Sequence, residues 1–317
     1  MWFNNILVFH YELENLANLT ASLEGDALKP CPPHARFIYG WIPPLADELV
    51  QEVAGANLIC MGKEERILPR GVIKRELANR VQAWETQHGR AMKRADKAQL
   101  AEELEFELLP KSFCLQKKLH ALFDPVHKRL IINTASSNQA AQLTSLLRKS
   151  LSDIRIEPLA YEGNLALKFA HWINHPETLP NQFQLASDCL LYSPDNDKKR
   201  FNCKGYELPA DEILTLLSQG LAAAEISLVW NERIQFTLTQ DLTLKRLKCL
   251  DYLTDDFNEV KLLEEEYQQQ DAALALLSGE LRSLINDLLL AVQKDDLASY
   301  AAHNRVGTTS VAPISEA

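Results

Sequence analysis

Between Asn57 and Pro110 the chain runs NLICMGKEERILPRGVIKRELANRVQAWETQHGRAMKRADKAQLAEELEFELLP, and the period of its apolar residues changes partway along. Asn57 to Met61 and Glu65 to Leu68 read as strands on either side of a turn at Gly62-Lys63. Past Pro69, Ile73, Leu77, Val81 and Trp84 recur at steps of four, four and three, which is the stripe of an amphipathic helix. The stripe lapses between Glu85 and Gln99, returns with Leu100, Leu104 and Leu108, and stops at Pro110. This predicts two helices joined by a turn near Ala95-Asp96, with Asp96 as N-cap of the second. Their shared end has no apolar face and is expected to project into solvent.

The flanks give the fold class. Trp2 to Leu13 reads as a strand, Asn15 to Leu23 as a short helix, and Arg36 to Trp41 as a strand stopped by Pro43-Pro44. Downstream, Leu119 to Phe123 and Arg129 to Thr134 form a hairpin about Asp124-Pro125, followed by a helix from Ser137 to Ser152 and a strand from Ile154 to Leu159. Leu165 to Ile173 is helical, and Ser193 to Arg200 is a polar, turn-rich loop. A helix opens at Pro209 and runs through Leu217. Ile226 to Trp230, Ile234 to Thr239 and Thr243 to Cys249 form a meander. Phe257 to Leu290 is a long helical segment broken at Ser278-Gly279. Hairpins and helices intermix, so the class is α+β, with antiparallel or mixed sheets, a protruding helical pair and a long C-terminal helical segment. With 317 residues, about two domains are expected. The division is an α+β core over 1–69 and 111–162, the helical pair over 70–110, a second α+β region over 163–294, and a flexible tail over 295–317.

Hydrophobic residues make up 46% and charged residues 24%, which excludes disorder throughout. No apolar run reaches the roughly 18 residues of a membrane span, and the N-terminus carries no pattern of a secretory signal. Cys31, Cys60, Cys114, Cys189, Cys203 and Cys249 form no CxxC pair, which points to reduced thiols in a cytoplasmic protein. The net charge of −10 argues against a polyanionic partner only if the charge is evenly spread. It is not: Lys63 to Lys97 holds ten Lys and Arg against five acids, whereas Asp251 to Ala317 holds four against thirteen.

Catalytic patterns are sparse. His171 and His175 have the i, i+4 spacing of a helical metal pair, but no glutamate follows the first histidine, and Pro176 frays the helix. Glu259-Val260-Lys261 echoes the E-x-K half of a nuclease metal site, with Pro194-Asp195 as a candidate partner, yet it falls where a helix opens. There Glu259 serves as a first-turn acid. No nucleophile elbow, P-loop or dinucleotide loop is present, and neither a cofactor nor a metal is expected.

The basic clusters are more specific. Arg90, Lys93, Arg94 and Lys97 fall at i, i+3, i+4 and i+7, without acids at i±4 to balance them. Lys111, Lys117 and Lys118 surround Phe113, and Lys198, Lys199, Arg200 and Lys204 form a second basic group. Two readings stand side by side: ordinary solvated cations, some favoured by a helix C-terminus, or a surface for a phosphate backbone.

Several blocks occur together and in order: Trp2-Phe3-Asn4-Asn5, Gly40-Trp41-Ile42-Pro43-Pro44, Lys63 to Pro69 running into Val72-Ile73-Lys74, and Leu108-Leu109-Pro110-Lys111-Ser112-Phe113. Leu146 to Leu151, Arg233-Ile234-Gln235-Phe236 and Leu244 to Lys248 continue the series. Over residues 1 to about 294 the chain thus resembles the recombination-associated RdgC family of proteobacteria. The resemblance implies a non-enzymatic, nucleoid-associated DNA-binding protein, a ring-shaped homodimer that encircles single- or double-stranded DNA irrespective of sequence and limits the access of RecA. Direct contact with RecA is the alternative route to the same restraint, and a metal-dependent nuclease is the enzymatic rival. By position, Arg90 and Phe113 match family residues associated with DNA, although Phe113 also reads as a subunit contact or a core aromatic. Lys204 matches a basic family position, but Gly205-Tyr206 departs from the Lys-Gln that follows it in the family. Lys198, Lys199 and Arg200 are expected to compensate.

Overall fold

The computed structural model describes residues 2–293 except Asn15, Ala46, Glu162 and Glu264; the tail expected over 295–317 lies outside the described residues. The first half of the chain builds a sheet from β1 (Leu7–Glu12), β2 (Phe37–Ile42), β3 (Val50–Val53), β4 (Ala56–Ile67), β5 (Phe113–Asp124), β6 (Arg129–Ile132) and β7 (Arg155–Pro158). The order is β2-β4-β5-β6-β1-β7, with β3 beside the first part of β4 and every pairing antiparallel. Three helices belong to this half besides the projecting pair's second member: α1 (Leu19–Glu24), α2 (Arg70–His88) and, after α3 (Arg94–Leu108), α4 (Ser137–Ser150). Because β6 and β7 both run antiparallel to β1, the β6-α4-β7 passage is a split βαβ unit with β1 between its strands.

The second half contains α5 (Leu165–Asn174) and a sheet ordered β12-β11-β10-β8-β9. Its strands are β8 (Phe183–Ser193), β9 (Asn196–Lys204), β10 (Ala222–Trp230), β11 (Ile234–Thr239) and β12 (Leu244–Cys249), with α6 (Asp211–Ser218) between β9 and β10. The chain then forms α7 (Asp251–Val260) and α8 (Glu266–Gln293).

One face of the first sheet, with Ile59, Met61, Ala121, Phe123 and Ile132, packs on α1 and α4. The opposite face, with Val8, Leu58, Leu122 and Ile131, shares a second core with α5, α8 and the second sheet. The 28-residue α8 is the spine of that core, burying Leu274, Leu277, Leu281, Leu284, Ile285 and Leu288. Its polar residues reach both sheets. Arg282 and Asn286 bond to Asp124 and Arg129 on the first, whereas Glu280 and Asp287 bond to Arg233 and Trp230 on the second. A backbone bridge between Ile6 and Leu244 ties the sheets directly.

Strands β4 and β5 are twelve residues each and pair along their whole length, about 40 Å of ladder. The first stretch of β4, Ala56 to Gly62, is buried on both faces, so Leu58 to Met61 reads as an unbroken apolar run. Beyond Gly62 and Lys118 the pair leaves the core: every residue from Phe113 to Lys118 is exposed. This arm carries α2 and α3, which pack against each other. No α2 residue is buried and only Leu104 of α3 is, so the stripe over Ile73, Leu77, Val81 and Trp84 forms a half-covered seam. The pair is fastened at its foot by the Phe106–His34 stack and the Arg36–Glu105 ion pair.

Four local expectations are corrected. Gly62 is not in a turn but lies mid-strand opposite Gly40, because a Cβ there would sit 2.8 Å from Leu28 Cδ2 and 2.9 Å from Ile42 Cγ2. The helical pair turns at Gly89 rather than Ala95-Asp96. Gly89 takes φ +63°, a left-handed C-cap open to glycine, and places Asp96 inside the first turn of α3 with Lys93 as its N-cap. Residues 193–200 are not a loop; Asn196 onward is strand β9, paired with β8 across a short turn. Finally, α8 is continuous through Ser278-Gly279, where Gly279 is exposed, and the break falls between the end of α7 at Val260 and the start of α8 at Glu266. Glu259 therefore closes α7 instead of opening a helix, and the first-turn role expected for it does not hold.

Candidate nucleic-acid interface

The expected site residues occupy three places. Arg90, Lys93, Arg94 and Lys97 are at the tip of the helical pair. Lys111, Phe113, Lys117 and Lys118 are at its foot, on the turn after α3 and on β5. Lys198, Lys199, Arg200 and Lys204 lie on β9, an edge strand of the second sheet. Separate elements carry the three groups.

Ion pairing divides these residues more sharply than position does. Lys97 bonds Glu85 at 3.0 Å, Lys111 bonds Glu107 at 3.0 Å, and Lys117 bonds Glu65 at 2.9 Å. The acids are held ionised. The Glu85 carboxyl falls below its ordinary range because it accepts from Met92 N–H and from Lys97. Lys111 and Arg80 lower Glu107, and Lys117 and Lys63 lower Glu65. By contrast Arg90, Lys93, Arg94, Lys118, Lys198, Lys199 and Lys204 are exposed and make no ion pair among the described residues. An unpaired surface cation gains most from a phosphate, because no existing pair is broken.

At the tip, Gly89 lets the chain reverse so tightly that Arg90, Lys93 and Arg94 share one short turn. Arg90 lies over the Trp84 indole, 5.5 Å from its centroid, and the His88 imidazole stacks on the same indole at 4.1 Å and 15°. On β9 the strand geometry alternates side chains. Arg200 and Lys204 thus share the face opposite buried Cys203, whereas Lys198 and Lys199 lie in the irregular stretch between Asn196 and Arg200, where the register with β8 shifts.

Phe113 is 87% exposed, so it is no core aromatic within the chain. It stands opposite Ile67, and the next row holds Phe37, Glu65 and Leu115. Phe37, Ile67 and Leu115 are each nearly half exposed, and Lys63 caps the Phe37 ring at 4.7 Å. The arm therefore presents an apolar face bordered by lysines, of the kind that marks an interaction surface.

The site reading omitted three further cations on α2, namely Arg70, Lys74 and Arg75. All are exposed and unpaired among the described residues. The signal was available: Arg70 and Lys74 stand at i, i+4 with no acid in reach along the helix. For Arg66 the outcome is the reverse. Its guanidinium is consumed by five backbone carbonyls, from Cys31, Pro32, Leu109, Pro110 and Ser112, and so it pins the foot of the helical pair to β4.

The catalytic patterns stay apart. His171 is buried in α5, and its ring meets that of His175 at 5.0 Å, while His175 pairs with Glu177. Lys261 bonds Asn258, and Asp195 sits in the β8–β9 turn. Among the described residues, no three His, Cys, Asp or Glu side chains are grouped to hold a metal ion. No helix among them is long and apolar enough to cross a membrane.

Fold and surface thus define an α+β protein with two antiparallel sheets and a projecting helical hairpin with a basic tip. The family model described as "RdgC: Putative exonuclease, RdgC" matches residues 1–295. Curated proteins named Recombination-associated protein RdgC are similar along nearly all of their length. The one from Yersinia pestis (strain Pestoides F) is 33% identical over 300 residues, covering 92% of this chain and 98% of that protein. The one from Yersinia enterocolitica serotype O:8 / biotype 1B is 32% identical over 301 residues, with the same coverage. The chain belongs to the RdgC family.

Proposed function

We propose that this protein binds DNA without sequence preference, as a homodimeric ring that encircles the nucleic acid and restrains RecA-dependent recombination. The observation that carries the reading is that Arg90, Lys93 and Arg94 on the helical-pair tip and Lys198, Lys199 and Lys204 on β9 make no ion pair among the described residues. They supply a phosphate-contacting surface and contain no arrangement for reading base edges. The name of the Yersinia relatives, recombination-associated protein, supports the process. The apolar arm face around Phe113 supports self-association, since an isologous contact uses one such patch twice.

The test is a salt titration of binding to linear and closed-circular duplex, combined with a measured solution mass. The reading expects a dimer mass, a steep salt slope, and retention on circular DNA after a salt challenge that releases linear DNA. A monomer that releases both forms alike would refute encirclement, and a flat slope would refute phosphate binding. RecA contact without DNA is tested by strand exchange with Arg90, Lys93 and Arg94 replaced by glutamate, where survival of inhibition favours contact. One observation favours a second reading: the family model carries the word exonuclease. Incubating labelled duplex with Mg²⁺ or Mn²⁺ decides it, since progressive loss of terminal nucleotides would establish that activity.

A further inference from the structure

The His88–Trp84–Arg90 column at the tip has a property that phosphate binding does not use. We propose that the outer face of the His88 ring is a stacking platform for one unpaired nucleobase, giving the helical-pair tip a grip specific to single-stranded DNA. The inference rests on the DNA-binding reading above and deepens it.

Two aromatic rings at i, i+4 on a surface helix would ordinarily turn their faces toward a core. Here α2 buries nothing, and the rings close on each other near its exposed C-terminal end. One face of His88 lies on the Trp84 indole at 4.1 Å, and its Nδ1 is engaged with Trp84 O at 2.9 Å, which fixes the ring plane. The residue is exposed, and among the described residues Trp84 is the one ring recorded in contact with it. Trp84 is in turn fixed by the Arg90 guanidinium at 5.5 Å. The column is therefore built before any ligand arrives, and its free end is a flat π surface. Arg90, Lys93 and Arg94, unpaired cations, lie within six residues of it.

Aromatic faces interleaved with cations are the common means of holding single strands: cations track the phosphates while each base stacks on a ring. A duplex offers the phosphates but keeps its bases stacked on one another, so it engages the cations alone. The platform thus separates two ligands that share a backbone chemistry.

The experiment measures affinity at one fixed pH and salt concentration. The probes are an oligothymidylate, an abasic oligomer of equal length, and a duplex, and the proteins are full-length wild type, His88→Ala and His88→Phe. The expected result is a loss of about five-fold or more in oligothymidylate affinity for His88→Ala, with duplex and abasic affinities unchanged. His88→Phe restores the oligothymidylate affinity. Unchanged oligothymidylate binding by His88→Ala, an equal loss on all three probes, or failure of His88→Phe to restore binding would each overturn the platform. Wild-type binding to none of the probes would instead overturn the DNA-binding reading itself.

Discussion

Neutralising the three unpaired tip cations, Arg90, Lys93 and Arg94, with glutamine should reduce the salt dependence of DNA binding by a calculable amount. Each phosphate contact contributes about 0.9 to the slope of log K against log salt. Three contacts per chain therefore contribute about 2.7, and both tips of a dimer about 5.4 if each engages the same DNA. Between about 50 and 200 mM salt, a slope of 2.7 corresponds to roughly a 40-fold change in affinity that wild type shows and the variant lacks. All three side chains are exposed on a short turn, and none makes a side-chain hydrogen bond or ion pair among the described residues. Stability should thus change little.

The structure supplies an internal control. Lys97 lies in the same basic run but bonds Glu85 at 3.0 Å. A phosphate contact there must displace the carboxylate, so Lys97→Gln should change the slope by well under the value of one contact. The assay is fluorescence anisotropy of a labelled duplex across a salt series for wild type, the triple variant and Lys97→Gln, with circular dichroism as a check on folding. The reasoning fails if the triple variant keeps the wild-type slope. It also fails if Lys97→Gln lowers the slope as much as each tip residue does, because ion pairing would then not be what sorts these cations.

Further outcomes follow from packing and burial. Gly40→Ala places a Cβ 2.3 Å from Leu28 Cα, a backbone atom that cannot yield locally, so thermal unfolding should show a loss of about 3 kcal/mol. Gly279→Ala, exposed in mid-α8 with nothing within 4 Å, should instead stabilise by about 0.5–1 kcal/mol in the same measurement. Lys168, fully buried in α5, donates to Val292 O at 2.5 Å in the last turn of α8; Lys168→Met should cost about 1–3 kcal/mol, and an unchanged melting temperature would contradict the capping role. The Asp26 carboxyl is lowered below its ordinary range by Lys149 and then Ser150, so its contribution to stability is complete above the ordinary aspartate range and is lost as pH falls through the lowered value. Asp26→Asn should remove that part of the acid-side slope in denaturant titrations across pH.

Much of the fold is legible because its elements are locally consistent. The β10–β12 meander and the β5–β6 hairpin carry period-two or Ile-rich runs between turn residues, and α4 and α5 carry both a stripe and an N-cap, at Ser136 and Asn164. The misread positions are those where distant residues decide. Gly62 looks like a turn because the residue that requires it, Leu28, is 34 positions away and crosses above the sheet. The start of β9 looks like a loop because an edge strand with lysines at successive positions has no apolar alternation until Phe201 and Cys203. Gly89 was a readable stop signal, masked by the polar run on both sides. The basic clusters are equally visible in sequence, but their pairing state is not. Glu107 and Lys111 stand at i, i+4, whereas Glu65 lies 52 residues from Lys117, and Glu85 reaches Lys97 only because the chain reverses at Gly89.

That pairing state also resolves how a chain of net charge −10 can present itself to a polyanion. Several acids of the C-terminal region are engaged internally. Glu280 and Asp256 hold the Arg233 guanidinium, Asp287 accepts from Trp230, and Asp271 accepts from Gln51, and all of these fasten α7 or α8 to the sheets. The Arg233 guanidinium reduces the field of Glu280 and Asp256 at a distance, whereas Asp287 and Asp271 are held by neutral donors and keep their charge on the α8 side of the molecule. Among the described residues, Arg70, Lys74 and Arg75 on α2, Arg90, Lys93 and Arg94 at the tip, and Lys198, Lys199 and Lys204 on β9 make no ion pair, so their charge is felt within a Debye length of about 8–10 Å. An approaching phosphate backbone therefore responds to the unpaired charge nearest to it rather than to the sum over the chain. The same argument fixes what sequence composition can exclude: a negative total excludes a nucleic-acid surface only where acids neutralise the bases of that surface, and here acids pair with Lys97, Lys111 and Lys117, whereas Arg90, Lys93 and Arg94 make no ion pair among the described residues.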